Sequence, residues 1–578
     1  MASSNSHNIP EFQEQDGIIT TKLELHTPKH APPMDETGGN DANDNDQTMK
    51  SNPNSEKIAT EDGVQEQNQV YLTGWKMGVA VLGLSTSVFL MALDSSILAT
   101  AIPKMTTALK SLNAVGWYGS AYLLTTAAFQ VTYGKFYSYF PIKWVYLTAF
   151  GIFEIGSLIC ATAPNSTAFI IGRAIAGLGS AGLFSGAMII ISNISPLEKR
   201  PMYTGIISAM YGIASVAGPL MGGALTDRVS WRWCFYINLP CAVIPIVAIL
   251  FLPISTKAIL RRGGFFQTLK DFDVPGSLTF IPAIVCLLIA LQWGGTQYEW
   301  SSWRVILLLV IFAVLFVAFV VIQIWQGDKA MLPPRIICKR SMLPAILFAF
   351  CNCAGYFILI YYIPIWFQAI KGTSAIGSGI RNLPMLLSMS ISSIATGLLV
   401  TYFGYYGPFM IGSSIVTSIG AGLVSTWKPN TGSPSWIAFQ IIFGAGMGLG
   451  LEQSLIAVQA IVDPADIPAG TALMVFTQSF GGTVFISAAQ NLFEKHLISA
   501  LSENVPSLDP QVVLNLGATG IRGAVTNGDL LGVIESYNDA IRHAFYIATG
   551  VAAASILGSI TIEWKNLHAN SKKDTPQS

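Results

Sequence analysis

Four ionisable side chains lie inside long apolar runs of this sequence: Asp94, Glu154, Arg173 and Glu452. Each costs several kcal/mol in hydrocarbon, so each is expected to face a partner or a wet cavity. A carboxyl in a low-dielectric site favours its neutral, protonated form, and such a group can carry a proton across a barrier. These residues therefore indicate proton chemistry inside a membrane. The alternative is that Arg173 only pairs with one carboxylate and locks two helices together.

The composition agrees with a chain whose main solvent is lipid. Of the 578 residues, 52% are hydrophobic and 11% are charged, whereas soluble proteins carry about 25% charged residues. This argues against a soluble enzyme. Residues 1–70 hold 13 acidic and 4 basic side chains, a net charge of −9, so they predict a disordered, acidic cytoplasmic tail.

The apolar residues form fourteen runs, each about long enough to cross a 30 Å hydrocarbon core. Continuous apolar runs predict helices, since a helix satisfies its own backbone in lipid. With the N-terminus inside, the inner loops hold 12 Lys and Arg and the outer loops hold 8, so both termini are predicted to be cytoplasmic. The runs are near 77–101, 115–134, 143–162, 168–193, 202–225, 233–253, 274–293, 304–326, 342–367, 378–402, 407–427, 434–458, 469–490 and 541–563.

Several nucleotide and metal chemistries lack their motifs. No Gly-x-x-x-x-Gly-Lys-Ser/Thr phosphate loop occurs, because Gly134-Lys135 continues to Phe136, and no His-Glu-x-x-His is present. We therefore expect no ATP-driven pumping, no cofactor and no metal. Gradient-driven transport, facilitated diffusion, a pore and an integral-membrane enzyme remain open.

Small residues and one sequon add two further expectations. Glycine and proline on the fifth run let a neighbouring helix approach closely and bend the helix. Asn165 begins an Asn-Ser-Thr glycosylation sequon in a very short outer loop. The fifth-run residues are Gly205, Gly218, Pro219, Gly222 and Gly223.

Five segments resemble the fourteen-span drug:proton antiporters of the major facilitator superfamily, and two of them are most similar to fungal toxin and multidrug efflux pumps. The first-helix motif, the fourth-helix arginine motif and the fifth-helix antiporter motif are all similar. These segments are LDSSILATAIP at 93–103, Gly172-Arg173 with Gly177 and Gly179, Gly205 with GPLMGG at 218–223, WRWCFYINLP at 231–240, and DIPAGT at 466–471.

The resemblance implies an all-α membrane fold of 6 + 2 + 6 helices. Its halves would span 71–255 and 341–565, the latter with an outer segment at 491–540. Two inserted helices would lie at 256–340 and a cytoplasmic tail at 566–578. The halves would rock about a central site.

In that mechanism a proton from outside binds Asp94 or Glu154, Arg173 couples it to the gate, and the fifth-helix motif restricts leak. The expected cargo is an amphipathic organic compound, such as a secondary metabolite, toxin or drug, with Glu452, Gln453, Gln478 and Tyr361 as cavity residues. We expect a monomer in the plasma membrane, or alternatively the vacuolar membrane, that binds protons, cargo and lipid but no nucleic acid.

Three departures, at Ser138, Ala176 and Ala214, and three alternatives accompany this resemblance. Ser138 occupies the acidic position of the family's loop after the second helix, which puts the usual charge lock in question. An importer of a siderophore or nutrient would use the same fold. A membrane-embedded acyltransferase would need a histidine that the inner loops lack. A non-transporting receptor would bind cargo without moving it.

Overall fold

The computed structural model describes residues 71–109, 115–253, 272–295, 297–525 and 528–568. The predicted disordered tail 1–70, most of the loop after the sixth run and most of the tail 566–578 lie outside these residues. Within the described residues the chain is helical, with one isolated bridge between Gly294 and Tyr298 and no β-strand. The predicted all-α fold is confirmed.

A helix forms in each of the fourteen predicted runs. We number these helices in chain order, merging segments across short breaks. They are α1 Trp75–Leu109, α2 Val115–Tyr139, α3 Ile142–Thr162, α4 Ser166–Ile194, α5 Arg200–Arg228, α6 Trp233–Phe251, α7 Val274–Trp293, α8 Trp303–Gln326, α9 Met342–Ala369, α10 Leu383–Phe403, α11 Gly407–Ser425, α12 Ser433–Ile461, α13 Ile467–Asn504 and α14 Leu530–Thr561.

Among the described residues, 13 helices are long and apolar enough to cross a membrane. The fourteenth is α2, whose 25 residues include several Ser, Thr and Tyr side chains and Gln130. At 1.5 Å per residue it is about 38 Å long, which suffices for a bilayer. That α2 also crosses the membrane stays a prediction.

Two of the helices are interrupted. α6 consists of three segments, Trp233–Tyr236, Asn238–Cys241 and Val243–Phe251. α12 consists of Ser433–Gly450 and Gln453–Ile461, so Leu451 and Glu452 lie at a break in the middle of the helix. A break exposes backbone groups that need other partners, and in membrane proteins such breaks occur where they line a cavity.

We call α1–α6 the N-terminal half and α9–α14 the C-terminal half. Within the first, α1 packs on α5, and α4 packs on both α2 and α3. Within the second, α9 packs on α13 and α14, and α12 packs on α10 and α11. The halves meet where α5 packs on α10 and where α2 packs on α13. The domain boundaries stated above stay predictions.

The α7–α8 hairpin lies against α2 and α13, one helix from each half. Only 11% of the most apolar stretch of α8 is buried, and its mean hydropathy is 3.7. A helix that is apolar on all sides and mostly uncovered suits contact with lipid.

At one end of this hairpin, Asp273 accepts hydrogen bonds from the Gly276 backbone nitrogen, from Gln323 Nε2 and from the Met331 backbone nitrogen at 2.6, 2.6 and 2.7 Å. These bonds join the start of α7 to the end of α8. Lys135 at the end of α2 donates to the carbonyl of Ala330 at 2.6 Å, so the hairpin is also attached to the N-terminal half.

Candidate functional site

The structure brings Asp94 of α1 and Arg173 of α4 together in a buried ion pair. Arg173 Nη1 lies 2.5 Å from Asp94 Oδ2, and the two side chains are 1% and 0% exposed. Arg173 Nε donates to the Tyr118 carbonyl at 2.9 Å, and Asn238 Nδ2 lies 3.3 Å from Asp94 Oδ1. Of the two carboxylates near it, Arg173 is therefore paired with Asp94.

Glycines of the fourth-helix motif allow this placement. A Cβ added to Gly177 would overlap the backbone of Tyr122 on α2, and one added to Gly179 would overlap the backbone of Phe153 on α3. α4 thus lies in direct backbone contact with both neighbours, which holds the Arg173 side chain between α1, α2 and α3.

Glu154 of α3 lies beside this pair but is not part of it. The side chain is 8% exposed, and both carboxylate oxygens are buried without a hydrogen-bond partner. It interacts electrostatically with Asp94. Asn238, which donates to Asp94, also donates to Ser157 Oγ one turn beyond Glu154 at 3.2 Å. An ionised carboxylate without partners is costly in such a place, so the arrangement favours a carboxyl that holds a proton.

A cavity of about 180 Å³ lies between the two halves. α1, α2, α4 and α5 contribute from one side, and α9, α10, α12 and α13 from the other. The lining contains one acidic side chain, Glu452, and no Lys, Arg or His. The lining residues are Met91, Ser95, Tyr122, Leu123, Thr126, Ala127, Gln130, Ser180, Phe184, Ser208, Tyr211, Cys353, Tyr356, Phe357, Met389, Leu451, Glu452, Val475, Gln478, Ser479, Thr483 and Ile486.

Glu452 lines this cavity at the break in α12. The side chain is 3% exposed, and its Oε1 accepts a hydrogen bond from Ser208 Oγ of α5 at 2.6 Å. Its Oε2 is buried without a partner. Gln478 Nε2 of α13 donates to the Leu451 carbonyl at 3.0 Å, which satisfies a backbone group freed by the break. The Glu452–Ser208 bond joins the two halves across the cavity.

Of the other predicted cavity residues, one lines the cavity and two do not. Gln478 lines the cavity, as described. Gln453 is buried, at 2% exposure, but is not among the lining residues. Tyr361 is 49% exposed and is not among the lining residues, whereas Tyr356, a turn and a half earlier, lines the cavity. Helical periodicity decides between two tyrosines whose sequence surroundings are alike.

Two polar residues of the site had no predicted role. Asn238 links Asp94 to Ser157, and Ser208 binds Glu452. Asn238 stands in the WRWCFYINLP segment and is an amide within an apolar run, which was its only signal. Ser208 gave no signal in the sequence, because serine is common in membrane helices.

The glycines and the proline of the fifth-helix motif lie at three different contacts. A Cβ on Gly205 would lie 2.7 Å from the Ser393 carbonyl of α10, between the halves. Gly218 and Gly222 face Ser96 and Thr100 of α1, within the N-terminal half. Gly223 faces Ile376, and Pro219 lies near Gly379, in the short helix Ala375–Arg381 that precedes α10.

The halves also contact each other at the end that carries the α2–α3 and α4–α5 loops, which the sequence predicts to be inner. The Met202 backbone nitrogen donates to Thr401 Oγ1 at 3.2 Å, and a Cβ on Gly134 would lie 2.7 Å from Ala472 Cβ. Ser138, at the acidic position of the family motif, donates to the Gly134 carbonyl of its own helix at 3.0 Å.

Ion pairs between the segment before α9 and the α12–α13 loop lie at this same end. Arg335 Nη2 lies 2.9 Å from Asp466 Oδ1, and Lys339 Nζ lies 3.2 Å from Asp463 Oδ2. Both pairs include a well-exposed side chain, so each contributes at most about 1 kcal/mol.

Asn165, the sequon residue, caps α4. Its side chain accepts a hydrogen bond from the Ala168 backbone nitrogen at 2.9 Å, and the residue is exposed. A glycan on Asn165 stays a prediction.

This arrangement of helices is shared with proteins of known structure. The structure of the proton:xylose symporter XylE bound to 6-bromo-6-deoxy-D-glucose matches with a TM-score of 0.54 at 14% identity, covering 83% of this chain and 94% of that chain. At this identity the likeness concerns the fold alone. Residues 84–486 match the family model described as Major Facilitator Superfamily.

Relatives of higher identity narrow the family. The chain is 53% identical over 498 residues to "MFS-type efflux pump MFS1" of Arthroderma benhamiae, covering 86% of this chain and 93% of the relative. It is 48% identical over 493 residues to "Efflux pump roqT" of Penicillium rubens, with 85% and 92% covered. The chain therefore belongs to the Major Facilitator Superfamily and, within it, to the family of fungal MFS-type efflux pumps. It is a multi-pass membrane transporter of small molecules rather than an enzyme, and the resemblance that its motifs indicated is confirmed.

Proposed function

We propose that this transporter expels amphipathic organic compounds from the cell in exchange for protons. Relatives at 48–53% identity carry the name efflux pump, which supports the direction. One observation carries the proton part: Glu154, a buried carboxyl without partners, lies beside the Asp94–Arg173 pair, next to a cavity that no basic side chain lines.

The lining of the cavity supports the cargo class. Tyr122, Tyr211, Tyr356, Phe184 and Phe357 offer aromatic faces, and serine, threonine and glutamine side chains offer hydrogen bonds. Pockets for organic ligands combine a mainly apolar lining with a few polar groups in this way. Secondary metabolites, toxins and drugs all fall within this class.

In the proposed cycle the proton reaches the Glu154–Asp94 cluster from outside. Asp94 is neutralised by Arg173 in this structure, whereas Glu154 has no cation, so Glu154 is the first acceptor. Rocking of the halves then changes the surroundings of both carboxyls, and the proton leaves on the inner side. The contacts of α5 with α10 and of α2 with α13 are those that must open and close.

The available driving force is sufficient without ATP. One charge falling through 100 mV releases ~2.3 kcal/mol, and one pH unit adds ~1.4 kcal/mol. Exchange of one proton for a neutral compound then sustains a gradient of roughly a few hundred-fold, at about 1.4 kcal/mol per decade.

We place the transporter in the plasma membrane as a monomer, with both termini in the cytoplasm. The excess of Lys and Arg in the loops predicted to be inner supports this orientation. Protease protection of epitope tags at the two termini, in sealed cells and in inverted vesicles, tests it.

Proteoliposomes of the purified full-length chain test the function. A fluorescent amphipathic dye is the cargo, and a pH-sensitive dye inside the vesicles reports protons. We expect an acid exterior to drive dye out of the lumen while the lumen acidifies, and we expect a protonophore to abolish both signals. Dye flux that reaches the same level at the same rate with and without the pH difference would refute proton exchange.

Glu154→Gln is the matched variant for this assay, because it removes the titratable group at constant size. It should bind dye and still show downhill flux without a response to the pH difference. A pH response of wild-type size in this variant would remove Glu154 from the mechanism.

A further inference from the structure

One aromatic side chain borders both the buried ion pair and the cavity. The guanidinium carbon of Arg173 lies 4.4 Å from the ring centroid of Tyr122, which is within range of a cation–π contact. Tyr122 also lines the cavity, whereas Asp94 and Arg173 do not. The second ring within reach of Arg173, that of Phe235 at 6.0 Å, is not a lining residue.

The position of the Tyr122 ring is fixed relative to α4. Its hydroxyl donates to Ser180 Oγ at 2.7 Å, and Ser180 is itself a lining residue. Thr126 Oγ1, one turn along α2, donates to the Gly177 carbonyl at 3.0 Å. Because α2 and α4 are joined on both sides of the ring, Tyr122 cannot move far without moving the helix that carries Arg173.

The contact between Arg173 and Tyr122 is sensitive both to the charge beside Arg173 and to cargo that touches Tyr122 in the cavity. While Asp94 or Glu154 is ionised, a carboxylate neutralises much of the Arg173 charge. When a proton removes that negative charge, the guanidinium depends more on the ring for stabilisation. A cargo molecule that stacks on Tyr122 changes the electron density and the freedom of the same ring. By linkage, any effect of the proton on cargo affinity equals the effect of cargo on proton affinity.

We propose that Tyr122 is the positioning residue through which cargo in the cavity and a proton in the Asp94–Glu154 cluster affect each other. The proposal rests on the proton exchange proposed above. The groups that face Arg173 and Tyr122 are Asp94 from α1, Glu154 (through Asp94) and Cys160 from α3, and Tyr211 from α5.

The test measures binding of Nile red to the purified full-length chain in lipid nanodiscs at pH 8 and at pH 6. This dye is an amphipathic aromatic compound that stays neutral over that range, so the charge of Glu452 in the same cavity does not attract or repel it. In the wild type we expect affinity to fall about fivefold or more on acidification, the size that about 1 kcal/mol of coupling produces. Tyr122→Leu should bind within about threefold of the wild type at pH 8 but lose the difference between the two pH values.

Tyr211→Leu is the matched control, since Tyr211 lines the same cavity and interacts with Tyr122 but, among the described residues, makes no cation–π contact with Arg173. It should weaken dye binding equally at both pH values and keep their ratio. Thermal unfolding of each variant in the nanodisc shows that the fold is retained.

A second series keeps the shape of the ring. Phenylalanine with zero, one, two or three ring fluorines is introduced at position 122 by nonsense suppression. Each fluorine withdraws electron density from the ring face and weakens cation–π attraction with little change in size. We expect the affinity ratio between pH 8 and pH 6 to decrease stepwise with fluorine number, with phenylalanine close to tyrosine.

A full pH ratio in Tyr122→Leu, or a fluorine series without a trend, would overturn the role of Tyr122. Equal loss of the ratio in Tyr211→Leu would overturn it too, because the effect would then belong to the whole cavity. A wild type without any pH ratio would instead refute the proton exchange itself, so the two failures are distinguishable.

Discussion

The cluster around Asp94 and the break in α12 place carboxyl groups in equally dry surroundings with different partners. Asp94 is fully buried and paired with Arg173, behind the wall of the cavity. Glu452 is also buried, but it lines the cavity, and its Oε1 accepts a hydrogen bond from the neutral hydroxyl of Ser208. Glu154 stands between these cases, close to the ion pair but without any hydrogen bond.

In the proposed mechanism this difference in partners separates two tasks. A carboxylate with a cation beside it is held ionised and fixes helices in place, and removing one partner of such a pair is strongly destabilising. A carboxyl with a neutral partner, or with none, can take up a proton or a cationic group without leaving a charge behind. The N-terminal half thus holds the electrostatic cluster, and the interface between the halves holds a carboxyl that lines the cavity.

Breaking the ion pair should have the largest effect. Asp94→Asn leaves the buried Arg173 charge uncompensated, so we expect a loss of about 3–5 kcal/mol in unfolding free energy and no proton-coupled export. Denaturation in detergent measures the unfolding free energy, and exchange in vesicles measures proton-coupled export. The double variant Asp94→Asn, Arg173→Gln should recover much of the stability but no coupling. Wild-type exchange by Asp94→Asn alone would contradict the proposed role of the pair.

Glu154→Gln should separate coupling from stability. No hydrogen bond is lost, so the unfolding free energy should change by about 1 kcal/mol or less, while the response of export to an imposed pH difference disappears. The same denaturation assay and the same vesicles compare it directly with Asp94→Asn. If Glu154→Gln unfolded as easily as Asp94→Asn, the carboxyl would have a structural partner, and the contrast between the two sites would fail.

Glu452→Gln should change the range of cargo rather than abolish coupling. The amide oxygen can still accept from Ser208, but the charge available to a cationic compound is gone. We expect a loss of about tenfold in affinity for a cationic dye, equal to about 1.4 kcal/mol, with less effect on a neutral analogue of similar size. Equal collapse of export in this variant and in Asp94→Asn, for both dyes, would mean that the two regions do one task.

Ser208→Ala should have the smallest effect, and its size reports the charge of Glu452. Loss of a hydrogen bond to a neutral group costs about 0.5–1.5 kcal/mol, and loss of one to a charged group about 1.5–3 kcal/mol. We expect the lower range, measured as the change in unfolding free energy, and a smaller change still when Glu452→Gln is already present. A loss in the upper range would show that Glu452 is ionised at rest.

Much of the fold could be predicted from the sequence, because lipid permits few kinds of secondary structure. Each predicted run formed a helix, since a backbone in hydrocarbon must satisfy its own hydrogen bonds. The breaks in α6 and α12 were not predicted, because short-range sequence does not show which freed backbone group finds a side chain such as Gln478.

The candidate site was readable only in part. The four intramembrane charges stood out, since charge in an apolar run is rare. Their pairing was not predicted, and neither were the contacts of Asn238 with Asp94, of Ser208 with Glu452 and of Tyr122 with Arg173. Tyr361 and Tyr356 illustrate the limit: both lie on α9, and only the rotation of that helix decides which one lines the cavity.

By itself, then, the sequence determined that this is a helical membrane transporter of a recognisable family with ionisable groups inside its spans. Composition and local motifs are enough for this conclusion, because burying a charge or an unpaired backbone group in lipid is costly in every fold. Only the tertiary structure decided that Arg173 pairs with Asp94, that Glu154 has no partner, and that Glu452 reaches the cavity. These outcomes depend on which helix faces lie against each other across tens to hundreds of residues of chain.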